Sequence, residues 1–244
     1  MKVDILASGS SGNCIAVRSG ESIILVDAGI AKTKIEKRLL DVGIRPDKIN
    51  AILITHAHVD HIKGLPLANK YLIPVMAGRE EWRSIEGVKN SWNINAGNEF
   101  KVGEFTVKSF RTHHDAYDPV GYTIKDGDKK VSVCLDTGHV DESMIEAMDN
   151  SDIYIIEANH DPKMVEASDY PDSVKARILS NNGHLSNQQT ADALAQLVRG
   201  KGEKIYLTHL SSKNNMPALA LMTVQSALLK KGFKPREHYE IEVI

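Results

Sequence analysis

Residues 55–61 read Thr55-His56-Ala57-His58-Val59-Asp60-His61, so four side chains able to hold a cation fall within six residues. Imidazole and carboxylate donors without thiolate suit Zn²⁺, Mn²⁺ or Fe²⁺. The run Ala51-Ile52-Leu53-Ile54-Thr55 reads as a buried strand, with His56 just beyond its end. A loop leaving a strand end can turn alternate side chains into one crevice while the sheet fixes their origin. The plainer reading is a polar loop whose histidines cap backbone groups, and three histidines with an aspartate in so tight a pattern argue against it. Short spacing cannot complete a metal shell, so remote ligands are required. Asp136 ends the run Val131-Ser132-Val133-Cys134-Leu135, and His209 ends Ile205-Tyr206-Leu207-Thr208. His114 follows a strand that closes at Phe110. Together these positions offer five histidines and two aspartates.

The elements that must place them alternate short β-branched runs with helical stretches, a mixed α/β layout. Strands are expected at 3–7, 15–17 and 23–27, with the small-residue turn Ser8-Gly9-Ser10-Ser11-Gly12-Asn13 between the first two. Residues 31–42 carry Ile35, Leu39 and Val42 at helical spacing, with Gly43 as a stop. Strands follow at 100–102, 105–110, 122–125 and 130–136, with Asp126-Gly127 as a hairpin signal. A strand at 152–157, a helix at 188–198, a strand at 204–208 and a helix at 217–230 close the chain. Two mixed sheets packed face to face with helices outside satisfy this order, in one domain spanning 1–244 with no inserted second domain.

Of the 244 residues, 42% are hydrophobic and 25% charged, and the net charge is −2 from 30 basic and 32 acidic side chains. That balance argues against a strongly basic nucleic-acid binder, so contact with nucleic acid must come from a local patch. No apolar run is long enough to cross a bilayer, and the opening Met1-Lys2-Val3-Asp4 is too polar for a signal peptide. Cys14 and Cys134 read as two free, buried thiols, which fits a reducing cytoplasm.

Read whole, the chain resembles the metallo-β-lactamase superfamily over its full length, and most closely the bacterial YycJ/WalJ subgroup. The matching stretches are Ser8-Gly9-Ser10-Ser11-Gly12-Asn13, Val26-Asp27-Ala28-Gly29 and the His56–His61 motif. Later ones are His114-Asp115-Ala116, Pro119-Val120-Gly121-Tyr122, Glu157-Ala158-Asn159-His160-Asp161, Gly183-His184-Leu185-Ser186-Asn187 and His209-Leu210-Ser211. The resemblance implies an αββα sandwich and a nuclease with 5′-exonuclease activity on DNA, linked to mismatch repair. It also implies that His56, His58 and His114 hold one metal, that Asp60, His61 and His209 hold another, and that Asp136 bridges them. Ions roughly 3.5–4 Å apart share a hydroxide and clamp both oxygens of an in-line displacement. Asp60 would also orient that hydroxide.

Glu157 and His184 are similar to a Glu and His pair of ribonuclease Z, so His184 is expected to protonate the leaving alkoxide while Glu157 holds its tautomer. The alternative is a histidine capping the next helix. His113 adjoins His114 and should point the other way, and His139 and His160 are expected to support the site. Asp27 should brace the metal loop. His238 reads as a surface residue. Ser10 and Asn13, in a turn able to cradle a phosphate, and Lys213 and Asn214, beyond His209, are candidate substrate contacts. Lys175, Arg177, Lys201, Lys204, Lys230, Lys231 and Lys234 are candidates for a basic patch.

The leading function is a two-metal phosphodiesterase acting on nucleic acid, DNA ahead of RNA, in the cytoplasm and with no membrane contact. A small-molecule metallohydrolase, such as a lactonase, thioesterase or cyclic phosphodiesterase, would use the same donors. A non-catalytic binding module would need a degenerate ligand set, and none of the seven positions is degenerate.

Overall fold

A computed structural model describes residues 1–244. The strands are β1 (Lys2–Ala7), β2 (Cys14–Ser19), β3 (Ser22–Val26), β4 (Ala51–Leu53), β5 (Val75–Gly78), β6 (Ser91–Ile94), β7 (Glu99–Val102), β8 (Phe105–Arg111), β9 (Val120–Asp126), β10 (Lys129–Cys134), β11 (Ile153–Glu157), β12 (Glu203–Thr208) and β13 (Tyr239–Val243). Helices are α1 (Lys32–Asp41), α2 (Val59–Ile62), α3 (Pro66–Tyr71), α4 (Glu142–Met148), α5 (Pro162–Ala167), α6 (Asp172–Ile178), α7 (Asn187–Leu197) and α8 (Pro217–Lys230). The strands make two mixed sheets, as expected. The chain divides into two compact units, residues 1–111 with 116–128, and residues 112–115 with 129–244.

The first unit holds a six-stranded sheet in the order β1-β2-β3-β4-β5-β6, together with β7, β8 and β9 of the second sheet. β1, β2 and β3 are antiparallel, and β3 to β6 run parallel. Parallel strands read as unbroken apolar runs because both faces are covered, and Ala51, Ile52 and Leu53 of β4 are all fully buried. α1 packs Ile35 and Leu39 into the same core as Leu25, Ile52 and Leu67. It ends as its sequence suggests: Gly43 takes φ +77, and the Ile44 N–H reaches back to the Leu39 carbonyl at 2.8 Å, which satisfies a terminal carbonyl.

The second unit holds β10, β11, β12 and β13, all parallel, with Val131, Ile155 and Leu207 buried. α7 starts on a capping box in which Ser186 and Gln189 satisfy each other's backbone N–H groups. Ser186, not His184, is therefore the cap of that helix. β5, β6, β13 and the short helices α3 to α6 were not expected from the sequence. Cys14 and Cys134 are buried and unbridged, and burial pushes both thiols up, beyond use as nucleophiles. No helix is long and apolar enough to cross a membrane.

Candidate metal centre

In the first unit the histidine segment runs from the end of β4 into α2. Asp27, one residue past β3, accepts the Thr55 backbone N–H at 2.8 Å and the Thr55 hydroxyl at 2.9 Å. Its Oδ2 also lies 2.7 Å from His61 Nδ1. A carboxylate there accepts a hydrogen bond from Nδ1–H, which leaves the His61 lone pair on Nε2. Because the Thr55 hydroxyl donates to Asp27, its oxygen is left to accept from His56 Nδ1 at 3.1 Å. That leaves the His56 lone pair on Nε2, which faces His58 Nδ1 at 2.9 Å. Burial pushes the Asp27 carboxyl up, against the opposing pull of His61 and Thr55. The bracing role expected of Asp27 is thus carried by named contacts.

Two further features pin this loop. The Asn13 N–H donates to the Asp60 carbonyl at 2.8 Å, and the Ala28 N–H donates to the His61 carbonyl at 2.8 Å. Gly29 lies so close that a Cβ on it would sit 1.6 Å from the Asp60 carbonyl oxygen. Only glycine permits that approach. The second feature is Glu81, a buried carboxylate that accepts the Ala57 N–H at 2.7 Å and the Asp118 N–H at 2.6 Å. Ala57 stands between His56 and His58, so Glu81 sets the backbone from which both rings project. Sequence reading missed Glu81 because Arg79-Glu80-Glu81-Trp82-Arg83 looks like a solvated charge run.

In the second unit His114 Nδ1 donates to the Gly183 carbonyl at 2.9 Å, which again leaves the lone pair on Nε2. Nε2 faces Asp115 Oδ1 at 3.2 Å and Asp136 Oδ2 at 3.7 Å. Burial lowers the affinity of His114 for a proton, against the raising effect of Asp136, so the ring stays neutral. A neutral imidazole lone pair directed at carboxylate oxygens is an acceptor facing acceptors, and a cation between them relieves the repulsion. Asp136 Oδ1 lies 2.7 Å from His209 Nδ1. Donor atoms of Asp136, Glu157, His184 and His209 all fall within 4.8 Å of one another. By donor type, then, the histidines and aspartates gathered in each unit fit divalent metal ions.

Left-handed backbone occurs at three of these residues, as it does at Leu72, Asn150 and Arg236 elsewhere. Asp27, Asp136 and His209 adopt φ of +60, +43 and +54, values uncommon outside glycine, although Asp and His tolerate them best. Such conformations cost about 1–3 kcal/mol each and cluster at functional sites. All three lie just past strand ends, after β3, β10 and β12.

His184 Nδ1 lies 3.1 Å from Glu157 Oε2. The other Glu157 oxygen accepts the Thr137 N–H at 2.6 Å and the Leu185 N–H at 3.2 Å. Burial opposes charge on both partners, yet their mutual attraction prevails: the Glu157 carboxyl is held down and the His184 imidazole is held up. Thus Nδ1 donates to a fixed carboxylate, and Nε2 is the remaining proton-carrying atom.

Other expected positions fall differently. Ser10 is exposed, whereas Asn13 and Asn214 are each 1% exposed, too enclosed to meet substrate. Asn13 instead accepts the Gly9 N–H and sets its amide 3.1 Å from His61 Nε2. The Gly9, Gly12 and Asn13 N–H groups are all taken within the protein, the last by the Asp60 carbonyl, so this turn braces Asp60. Lys213 is exposed and stands over the Tyr170 ring. Much of the basic patch is neutralised, since Arg177 forks onto Asp115, Lys204 meets Glu240 and Lys234 meets Glu237. Lys175 donates to the Glu166 backbone carbonyl and Lys201 to the Asn150 side-chain oxygen, while Lys230 and Lys231 stay exposed. His160 is buried, and His238 is half-buried beside Phe233.

Comparison with known proteins places this arrangement. Residues 23–210 match the β-lactamase superfamily domain. The chain belongs to the β-lactamase superfamily. Within that superfamily it is 37% identical to exodeoxyribonuclease YycJ of Bacillus anthracis, covering 97% of this chain and 92% of that protein. It is 38% identical to exodeoxyribonuclease WalJ of Streptococcus pneumoniae, over 93% of this chain and 88% of that protein. The crystal structure of the metallo-β-lactamase fold protein YhfI from Bacillus subtilis superposes with a TM-score of 0.75 at 18% identity, covering 99% of this chain and 95% of that one. The resemblance to the YycJ/WalJ branch of the superfamily, and the metallo-β-lactamase fold with its two mixed sheets, are thereby established.

Proposed function

We propose that this β-lactamase-superfamily chain is a metal-dependent exodeoxyribonuclease that hydrolyses the phosphodiester backbone of DNA from a 5′ end. The observation that carries this reading is 37–38% identity, over 93–97% of the chain, to two proteins named exodeoxyribonucleases. That identity favours the nuclease over a small-molecule lactonase, thioesterase or cyclic phosphodiesterase on the same donors. Both compact units serve one catalytic domain. A role in DNA repair and a cytoplasmic location fit the same reading, the latter because Cys14 and Cys134 are unbridged thiols.

The residues divide the work by chemistry. His56, His58 and His114 would hold one divalent ion, and Asp60, His61 and His209 a second, with Asp136 shared. Zn²⁺ and Mn²⁺ are the first candidates, Fe²⁺ the third. When bound, such ions supply Lewis acidity and a water nucleophile active near neutral pH. Asp60, about a quarter exposed, would also orient the nucleophile. Glu157 fixes the His184 tautomer, and His184 Nε2 delivers a proton to the departing 3′-oxygen. Ser10 and Lys213, both exposed, are the remaining candidates for contact with the strand.

The test compares the protein with Asp60→Ala on 5′- and 3′-labelled single- and double-stranded DNA and RNA, with Mn²⁺ or Zn²⁺ added. Mononucleotide release from 5′-labelled DNA by the wild type alone is expected. Absence of cleavage on every substrate and metal would refute the nuclease reading, and equal cleavage by Asp60→Ala would place the activity elsewhere.

A further inference from the structure

We propose that His113, His139 and Asp141 form an additional cation site, separate from the seven ligands above, that takes a borderline divalent ion such as Zn²⁺, Ni²⁺ or Cu²⁺. Their donor atoms lie within 4.8 Å of one another, and all three residues are half-buried, so an ion has both a cradle and a path from solvent. His113 Nε2 is 2.8 Å from Asp141 Oδ2. The His113 and His139 rings stack with centroids 3.9 Å apart and planes 18° from parallel. His139 Nδ1 donates to the Asn181 carbonyl at 3.0 Å. That is the partner a ligating imidazole usually has, and it leaves the lone pair on Nε2.

The backbone beneath the three donors is tied in a closed knot. The His113 N–H donates to the Thr137 hydroxyl at 2.9 Å, the hydroxyl donates to the His139 carbonyl at 2.8 Å, and the Gly138 N–H donates to the His113 carbonyl at 2.7 Å. Asp141 is held by its cap on α4, where Oδ1 accepts the Met144 N–H. Its carboxyl stays ionised because the Ser143, Met144 and His113 donors outweigh its partial burial. Two imidazoles and a carboxylate, fixed from behind, are the donor set such ions prefer. The position gives the site a consequence. His113 adjoins His114, and His139 lies three residues past Asp136, so an ion here clasps the two loops that carry those side chains.

The experiment uses the full chain, stripped with chelator, dialysed against buffered Zn²⁺ and measured by inductively coupled plasma mass spectrometry. His139→Ala and His139→Gln should each bind one equivalent fewer than wild type. Gln is included because its amide can still donate to the Asn181 carbonyl. His56→Ala combined with Asp60→Ala, which disables part of the other donor set, should keep the equivalent that His139→Ala loses. The outcome is therefore independent of the nuclease reading. Equal metal content in wild type and both His139 variants would overturn the proposal. Loss of more than one equivalent would also overturn it, because His139 would then be supporting the other centre.

Discussion

Gly29→Ala offers the sharpest view of how the fold enforces the metal loop. Cβ atoms do not approach other heavy atoms closer than 3.0 Å, and the added methyl would meet the Asp60 carbonyl oxygen at 1.6 Å and the Asn13 nitrogen at 2.5 Å. The Asp60 backbone must therefore retreat by about 1.4 Å, which breaks its 2.8 Å hydrogen bond from Asn13. Overpacking of this size costs about 1–3 kcal/mol, and the lost hydrogen bond about 1 kcal/mol more. For a chain of this length the melting temperature should fall by roughly 4–15 °C. Asp60 and His61 move with the backbone, and a displacement near 1 Å at reacting groups costs on the order of 100-fold in rate. Gly43→Ala is the control. Nothing lies within 4 Å of its Cβ, so only its φ of +77 is penalised, by about 1 kcal/mol, with metal content intact. Thermal melts followed by circular dichroism, metal content and DNA turnover are measured on both variants. Gly29→Ala with full metal content and turnover within twofold of wild type would refute the reasoning.

Three further outcomes are expected. Glu81→Gln places an amide donor against the Ala57 or Asp118 N–H, so metal affinity measured by chelator competition should drop about 10–100-fold, and stability by about 1–3 kcal/mol. His184→Ala should slow turnover about 10²–10⁴-fold with metal stoichiometry unchanged; loss of metal would make His184 a ligand. His160, held neutral by burial with its pKa lowered to about 4, binds no proton in the folded state at a pH where the unfolded chain does. Stability is therefore lost as pH falls from 6.5 toward 4. The lowered pKa sets an upper limit of about 3 kcal/mol on that loss. In urea melts His160→Gln should lose less stability across that window than wild type, and parallel curves would refute the assignment.

What the sequence made legible follows the physics of each signal. Periodicity found α1, because Ile35 and Leu39 must face a core at helical spacing. Strand-end logic put Asp136 and His209 just past the ends of β10 and β12, where the structure has them, since an ionisable side chain closing an apolar run has nowhere to lie but the rim of the sheet. β6 was invisible because Ser91, Trp92 and Asn93 are exposed on a short edge strand, which leaves no alternation to read. Glu81 was invisible for the opposite reason. Its burial depends on the N–H groups of Ala57 and Asp118, 24 and 37 residues away. Positive φ at Asp27, Asp136 and His209 carries no sequence mark either, because nothing but tertiary packing imposes it. Asn13 was legible as important but not for its role: side-chain type does not reveal whether an amide faces solvent or a neighbouring histidine.

The most direct measurement is a crystal structure of the Mn²⁺- or Zn²⁺-loaded protein, with anomalous maps recorded at the metal edge. Two peaks are expected beside Asp136, one touching His56, His58 and His114 and the other touching Asp60, His61 and His209. A single peak, or ions held by only one of the two ligand sets, would contradict the account.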